Sequence, residues 1–349
     1  MKVLHGISEV AGQGTNSVKG LRKLGINAKM VTYRTNRMKY DVDYDLKIGH
    51  CKWLYPFYML KALCFAVFSI FKYDCFHFHF GHTLIPSGID LFFLKLLKKK
   101  VFLEFHGSDI RWAFCRKPYL DMDMPLINEK YRKEIKYKLS FADGIILHDQ
   151  ELIEHLPPTD IPVYIVPLRV SVNDFTPNYP DTNIKKPIIV HAPSSRKIKG
   201  TEYILKALEE IELDYELILV EGKTQDEAFK IYSQADIIID QLLIGSYGVF
   251  AIEAMAMGKP VVTHITEEMR KSFPEELPIV EADIFSIKKV LEELIMDASL
   301  RHDLGVKGRE YVCKYHDCNK NSMVLKNIYL GKQKPMLSRD VFDLINRIN

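Results

Sequence analysis

Short apolar segments typical of β-strands alternate with helical segments along most of the chain. In the first half, helices separate six predicted strands, at 2–7, 28–32, 74–80, 101–105, 142–147 and 163–166. A second series has predicted strands at 188–191, 216–220, 237–240 and 261–262. Such alternation is typical of parallel strands that helical crossovers connect. The chain is therefore predicted to be an α/β protein with two Rossmann-like, doubly wound domains.

Proline marks the boundary between the two series. Four prolines lie from 167 to 187 in a segment with few apolar clusters, which is a linker composition (Pro167, Pro177, Pro180 and Pro187). We predict an N-terminal domain at 1–167 and a C-terminal domain at 168–330. A helical tail at 331–349 follows and can return to the N-terminal domain. The length of 349 residues agrees with two domains.

The charges are nearly balanced, with 48 lysine and arginine residues, 45 acidic residues and a net charge of +3. This balance argues against a general nucleic-acid binder. The six cysteines include no Cys-x-x-Cys pair, so they are predicted to be free thiols in a reducing compartment. No signal peptide is visible, which favours a cytoplasmic location. No Asp-x-Asp pair lies at a predicted strand end; the pair at 121–123 lies in a polar connecting segment, and we expect no metal there.

The most hydrophobic segment, at 54–71, contains Pro56 and Lys61 and is only marginally long enough to span a bilayer. We expect a buried or interfacial helix instead. Four lysines follow a little later, at 95–100 (Lys95, Lys98, Lys99 and Lys100). Two interpretations stay open: contact with an anionic membrane, or a core helix beside a solvated helix end.

Two loops at predicted strand ends contain candidate site residues. Gly12 and Gly14 lie between the first strand and a helix, where backbone can approach a ligand. An ordinary turn has the same pattern, and the third glycine of the dinucleotide fingerprint is missing. His106 directly follows the strand at 101–105. Because ligands bind beyond the carboxyl ends of parallel strands, His106 is a candidate catalytic residue.

The stretch at 245–262, GSYGVFAIEAMAMGKPVV, places a carboxylate on an apolar helix. The neighbours of Glu253 one turn away in either direction are all apolar, so its carboxylate needs hydrogen-bond donors. The glycine-rich start of the helix offers free N–H groups and a positive dipole end, which suit a phosphate. An internal ion pair of Glu253 is the alternative explanation.

With these segments, the chain resembles the retaining family 4 glycosyltransferases of the GT-B fold, most strongly from 166 to 262. Val166-Pro167 with Phe175-x-Pro177 resembles the linker signature of that family. Arg196 and Lys199-Gly200 resemble its basic pair. The stretch from Tyr247-Gly248 through Glu253 to Pro260 resembles its glutamate motif. His106-Gly107 and the Gly12/Gly14 loop match its N-terminal histidine and glycine loops.

The resemblance implies two Rossmann-like domains that face each other across a cleft, and a hexosyltransferase that needs no metal or other cofactor. Arg196 and Lys199 would stabilise the departing diphosphate, and His106 would lie beside the transferred sugar. The donor would be bound by Gly12, Gly14, Ser246, Tyr247, Gly248 and Glu253, with Glu253 on the ribose. The acceptor would be a glycan or a lipid-linked glycan in cell-surface polysaccharide biosynthesis.

Two positions depart from the family pattern. Gly245 stands where the family has a second glutamate, eight residues before Glu253, and this glutamate lies near the donor sugar. Ser194 stands where the family has its basic residue, so Arg196 is a displaced substitute. Two alternative functions stay open: a nucleotide-sugar epimerase of the same fold, against which Gly245 argues, and an inactive module that binds a glycan or a partner, which Gly245 supports.

Overall fold

A computed structural model describes residues 1–34, 40–49, 51–114 and 129–348. The chain divides into two compact units. The first contains the described residues up to Arg169 together with those from Cys318 onward. The second runs from Val170 to Asp317. Both units are α/β, as predicted.

The first unit is built on a seven-stranded parallel sheet with strand order β3-β2-β1-β4-β5-β6-β7. Its strands are β1 (Lys2–Gly6), β2 (Asn27–Thr32), β3 (Tyr44–Asp45), β4 (Cys75–His79), β5 (Lys100–Glu104), β6 (Gly144–Leu147) and β7 (Val163–Ile165). Its helices are α1 (Gln13–Lys23), α2 (Tyr55–Lys72), α3 (Ile89–Leu96), α4 (Ser108–Phe114) and α5 (Glu129–Leu139). The central strands β4 and β6 are buried along their whole length, as expected of a parallel sheet that is covered on both faces.

The second unit has a five-stranded parallel sheet with strand order β12-β11-β10-β8-β9. Its strands are β8 (Ile188–His191), β9 (Glu216–Leu219), β10 (Ile237–Ile239), β11 (Val261–Thr263) and β12 (Val280–Glu281). Its helices are α6 (Arg196–Lys199), α7 (Thr201–Glu209), α8 (Gln225–Gln234), α9 (Val249–Ala256), α10 (Glu267–Ser272), α11 (Ile287–Met296) and α12 (Ala298–Tyr315). Its core is aliphatic and includes Ile189, Ile237 and Val262, which are fully buried.

The end of the chain differs from the predicted division. Helix α13 (Cys318–Tyr329) lies in the first unit, whereas residues up to 330 were predicted to belong to the C-terminal domain. This helix packs closely on α1, because a Cβ atom at Gly20 would lie only 2.3 Å from Ser322 Oγ. The first unit also contains α14 (Ser338–Asn346), which lies within the predicted tail and buries Val341 and Ile345 in the same core.

Candidate functional site

Lys199 lies beside the carboxyl end of β10 in the second unit. Its Nζ donates to Asp240 Oδ1 at 2.6 Å and to Gln241 Oε1 at 2.9 Å. The other oxygen of Asp240 accepts from the Gly248 backbone N–H at 3.4 Å, at the start of α9. Asp240 therefore joins Lys199 to the glycine that precedes α9. This is the edge of a parallel sheet at which ligands bind.

Glu253 lies in the second turn of α9 and is half-buried. Its carboxyl group makes no hydrogen bond or ion pair with any residue that the structure describes, which removes the predicted alternative of an internal ion pair within that part of the chain. Burial raises the pKa of Glu253 to about 8. The group is therefore mainly a neutral acid at pH 7. A desolvated carboxyl group that bonds to no described residue is a candidate for contact with a ligand.

Arg196 and Lys199 bond to different residues, so the two side chains do not form a pair in this structure. Its guanidinium forms two hydrogen bonds to Glu221, both 2.9 Å long, and lies 3.5 Å from Glu202. The side chain is half-exposed. The structure thus shows Arg196 in surface ion pairs, which it would have to leave in order to bind a diphosphate. Its predicted role stays a prediction.

Tyr247 and Ser246 are fixed in the interior of the second unit. The Tyr247 hydroxyl lies 3.2 Å from the Tyr311 hydroxyl and 3.1 Å from His316 Nε2, and its ring packs on Phe273 at 4.7 Å. Ser246 is buried, and its carbonyl accepts from the Gln241 side chain. Both residues shape the loop before α9. Any contribution of theirs to donor binding requires backbone groups or rearrangement.

In the glycine loop of the first unit, the carboxylate of Glu9 occupies backbone N–H groups at the start of α1. Glu9 accepts hydrogen bonds from the backbone N–H groups of Gly14 at 3.2 Å and Thr15 at 2.8 Å. These are N–H groups of the first turn of α1, which the prediction assigned to a ligand. Gly12 has a positive φ of 76° at the N-cap of α1. An anion at this loop would have to displace Glu9.

We expect that Gly245→Ala lowers the free energy of unfolding by about 1–3 kcal/mol, the usual cost of overpacking. A Cβ atom at this position would lie 2.3 Å from Thr266 Cγ2. Thr266→Ser removes that methyl group but keeps the hydroxyl that caps α10, so the double variant should recover most of the loss. Denaturant unfolding of the two variants measures this. Equal stability of Gly245→Ala and wild type would contradict the packing argument.

Histidines line one face of the first sheet. Strand register places His5 opposite His77 and places His79 opposite Glu104, on β1, β4 and β5. His5 Nδ1 lies 3.1 Å from His79 Nε2, and His77 Nε2 lies 2.8 Å from Glu104. Tyr329 of α13 completes the cluster, with its hydroxyl 2.5 Å from His77 and 3.2 Å from His5.

The charge of Glu104 is balanced by Arg169. Arg169 Nη2 lies 2.5 Å and 2.7 Å from the two oxygens of Glu104, and both side chains are fully buried. Arg169 also donates to Ser17 Oγ of α1 at 2.5 Å. The arginine holds the pKa of the Glu104 carboxyl well below its usual range, although burial alone would raise it.

His106 lies at the end of this cluster. Its Nε2 lies 3.1 Å from His79 Nδ1, and Asp109 accepts from the backbone N–H groups of His106 and Gly107 at 2.8–3.1 Å. Burial lowers the pKa of His106 to about 3. The ring is therefore a neutral imidazole at neutral pH, able to donate or accept a hydrogen bond but not to supply a positive charge.

Two groups of side chains in this cluster are close enough to hold a metal ion: His5, His77 and His79, and His79, Glu104 and His106. A cation in the second group would have to compete with Arg169 for both oxygens of Glu104. In that second group the geometry therefore favours a hydrogen-bonded network over a metal centre. The Asp-x-Asp pair at 121–123 lies outside the residues that the structure describes.

A cavity of about 600 Å³ lies at the carboxyl end of β1 in the first unit. Its polar lining includes Ser8 and His82, which are joined by a hydrogen bond of 2.7 Å. The other polar and aromatic residues that line it are Glu9, Tyr33, Arg34, Tyr55, Tyr58, Thr83, Glu134 and Lys138. Hydroxyl, carboxylate and ammonium groups around an aromatic wall are suited to a polyhydroxylated ligand.

Sequence reasoning missed Asp240, Glu104, Arg169 and the three buried histidines. A detectable signal existed for two of them, because His77 and His79 are two residues apart in a strand and so share one face. Their neighbours His5 and Glu104 belong to this group only through strand order and register, which the sequence alone does not specify. Arg169 and Asp240 each follow a strand, but neither belongs to a sequence motif that would have identified it.

No protein-family model and no curated protein sequence matches the chain. Solved structures do match its fold. Sucrose-phosphate synthase from Thermosynechococcus elongatus superposes with a TM-score of 0.68 at 15% identity, covering 95% of this chain and 99% of the other.

Two further structures extend the comparison. A glycosyltransferase from Rickettsia africae ESF-5 has a TM-score of 0.63 at 14% identity, covering 100% and 99% of the two chains. UDP-GlcNAc 2-epimerase from Neisseria meningitidis, bound to UDP-GlcNAc, has a TM-score of 0.53 at 16% identity, covering 95% and 100%. The chain therefore has the GT-B fold, which it shares with both a glycosyltransferase and a nucleotide-sugar epimerase.

Proposed function

We propose that the protein is a retaining glycosyltransferase of the family 4 type that moves a sugar from a nucleotide-diphosphate sugar to a glycan or lipid-linked acceptor. The reaction would belong to cell-surface polysaccharide biosynthesis and would take place in the cytoplasm, at the inner face of the cell membrane. No metal or other cofactor is needed, because protein groups supply the positive charge.

One observation carries the proposal: Lys199, Gly248 and the carboxyl group of Glu253, which bonds to no residue that the structure describes, lie around the start of one helix in the second unit. Lys199 and the free N–H groups of α9 suit a diphosphate, because both present positive charge to its oxygens. Glu253 lies one turn further along α9 and suits ribose hydroxyl groups, which can donate to its carboxylate. Together these groups match the two polar parts of a nucleoside diphosphate.

The first unit supplies the groups proposed for the sugar and the acceptor. The neutral imidazole of His106 can hydrogen-bond a sugar hydroxyl, and the cavity beside β1 is proposed to hold part of the acceptor. In the transfer step, the sugar–phosphate bond breaks with its electron pair passing to the diphosphate. A hydroxyl of the acceptor forms the new bond to the sugar, and its proton passes to the departing diphosphate. Positive charge beside the diphosphate lowers the free energy of this step.

Glu253→Gln is expected to weaken UDP binding about ten-fold or more, while binding of inorganic pyrophosphate changes little. Only UDP has the ribose that the carboxylate is proposed to contact, and a hydrogen bond to a charged group is worth about 1.5–3 kcal/mol. Because the pKa of Glu253 is about 8 in the free protein, binding at pH 7 should also release close to one proton. Affinity for UDP should therefore rise with pH until about 8.

Calorimetry in buffers of different ionisation enthalpy measures both effects. Glu212→Gln, a change of an exposed carboxylate elsewhere in the second unit, is the matched control and should leave affinity and proton release unchanged. Glu253→Gln could instead lower the affinities for UDP and pyrophosphate equally, or lower only the melting temperature. In either case Glu253 has a structural role and its assignment to the ribose is wrong.

Chelation is expected to leave the activity intact. We propose that Lys199 and the helix N-terminus replace a metal at the diphosphate, so transfer measured after EDTA treatment should match the untreated rate. A loss of activity that Mn²⁺ restores would instead indicate metal-assisted transfer. Restoration by Zn²⁺ alone would point to the histidine cluster of the first unit.

A nucleotide-sugar epimerase is the second candidate, favoured by the fold that the chain shares with UDP-GlcNAc 2-epimerase. Higher similarity to the synthase and to the glycosyltransferase supports transfer. Replacement of the family glutamate by Gly245 removes one carboxylate from the donor sugar, which also weakens the case for acid–base epimerisation. An inactive GT-B module that binds a glycan or a partner is the remaining alternative.

A further inference from the structure

We propose that the first unit docks on an anionic lipid bilayer through the exposed faces of α2 and α3, lying in the membrane surface without crossing it. The inference does not depend on sugar transfer, because docking can be measured without any donor.

Helix α2 presents its apolar side away from the protein. It buries Ala62, Ala66, Ser69 and Ile70, which form a narrow stripe at helical spacing. The opposite side is exposed and includes Phe57, Leu60, Val67, Phe68 and Phe71. Trp53, just before the helix, is 93% exposed. No described residue covers this side, and burial of so many aromatic and aliphatic groups in an apolar phase is favourable.

Helix α3 extends the same surface. It contacts α2, and its buried residues are Asp90, Leu91 and Leu94. Its exposed residues are again large and apolar (Ile89, Phe92, Phe93, Leu96 and Leu97). Two neighbouring helices with exposed apolar faces form a broad patch, whereas scattered exposed apolar residues are ordinary on a soluble protein.

Charge identifies the occupant as an anionic surface. Between Asp45 and Asp74 the sequence has no acidic residue but contains four lysines, and between Asp90 and Glu104 it again has four lysines and no acid. Five of these lysines donate hydrogen bonds to other residues of the first unit: Lys61 to the Leu46 carbonyl, Lys72 to the Tyr44 hydroxyl, Lys95 to Asp143, Lys99 to the Tyr73 carbonyl and Lys100 to the Tyr329 carbonyl. Lys98 has no such contact with a described residue. Aromatic side chains surrounded by lysines are typical of helices that lie in the interface of anionic membranes.

A spanning arrangement does not fit the sheet. The segment Lys52–Lys72 is long enough to cross a bilayer, and an 18-residue stretch within it has a mean hydropathy of 1.7 and is 28% buried. The strands on either side of it, β3 and β4, belong to the same sheet. If the helix crossed about 30 Å of hydrocarbon, the connection at 46–51 would have to return across it, and six residues reach only about 20 Å. The helix therefore lies along the surface.

Docking would place the cavity of the first unit at the membrane. Tyr55, Tyr58 and Met59 of α2 line that cavity, and Tyr55 is also exposed. One helix thus borders both the proposed lipid surface and the proposed acceptor site. A lipid-linked acceptor is the class of substrate that this arrangement favours.

Co-sedimentation of the full chain with vesicles tests the proposal. We expect binding to vesicles of phosphatidylglycerol and phosphatidylcholine, and weaker binding to phosphatidylcholine alone. The double variant Phe57→Ser/Phe71→Ser should lose at least about ten-fold in partitioning at low and high salt, because it removes two inserted aromatic groups. For Lys52→Gln/Lys98→Gln, partitioning should fall about five-fold per lysine. This loss should occur only on anionic vesicles and only at low salt.

Phe285→Ser is the matched control, since Phe285 is 82% exposed but lies in the second unit. It should leave partitioning unchanged. Equal partitioning of wild type and Phe57→Ser/Phe71→Ser overturns the proposal. A second outcome also overturns it: the wild type binds no vesicles and is a dimer, whereas the double variant is a monomer. The exposed apolar faces would then be covered by a second copy of the chain. UDP titration of the same variants reports separately on the proposed function.

Discussion

Arg169→Met is expected to lower the free energy of unfolding by about 3–5 kcal/mol, the largest single effect that we expect. The substitution leaves the carboxylate of Glu104 buried and uncompensated among neutral histidines. Breaking a fully buried ion pair from one side costs about this much, because the remaining charge has lost its water and its partner. Denaturant unfolding at neutral pH measures the effect.

Two further variants test the cause. Arg169→Met/Glu104→Gln should recover much of the loss, because the amide is neutral and still offers an oxygen to the histidines. Arg22→Met removes the half-exposed arginine that contacts Asp43, and should cost about 1 kcal/mol or less. A loss below about 1 kcal/mol for Arg169→Met would contradict the ion-pair account.

The pH dependence has a definite sign. In wild type the pKa of Glu104 is held low, so the stability from ionised Glu104 is present above its usual pKa of about 4.5 and is lost as pH falls through the lower folded value. In Arg169→Met that contribution is already missing. The difference in stability between the two proteins should therefore shrink at acidic pH.

Lys199→Met should lower the affinity for UDP by about 10–150-fold, the scale of a hydrogen bond from a charged group. The same substitution should also destabilise the second unit, because the buried carboxylate of Asp240 loses the amine 2.6 Å away. The contact with Asp240 therefore makes a loss of stability part of the expected result.

The two effects can be separated. Lys199→Met/Asp240→Asn removes both charges, so it should regain stability without regaining affinity. Lys197→Met, on the same short helix, removes an exposed lysine and is the matched control, with no change in affinity expected. Wild-type affinity of the stable double variant would exclude Lys199 from the diphosphate site.

Much of the fold follows from sequence periodicity. The predicted strand at 188–191 coincides with β8, and α8 begins at a capping box between Thr224 and Glu227. Local signals of this kind act within a few residues. The position of α13 depends instead on contact with Gly20, some 300 residues away, and no local signal encodes that contact.

The candidate site was only partly predictable, for a related reason. Lys199 and Glu253 stand out because their residue types are unusual beside a glycine loop or on an apolar helix. Asp240 and Glu104 are ordinary acids at strand ends, and their importance depends on which cation the fold brings to them. The exposure of α2 likewise depends on which side of the helix meets the sheet, which left both interpretations of that segment open.

Incubation with nucleotide-diphosphate sugars, with and without a membrane extract as the source of acceptor, tests the central claim most directly. The measured quantities are free nucleoside diphosphate and the chemical form of the sugar. We expect release of nucleoside diphosphate that increases with acceptor, together with a glycosidic product that keeps the anomeric configuration of the donor. No release, with the donor recovered either unchanged or epimerised at a sugar carbon, would contradict the assignment as a transferase.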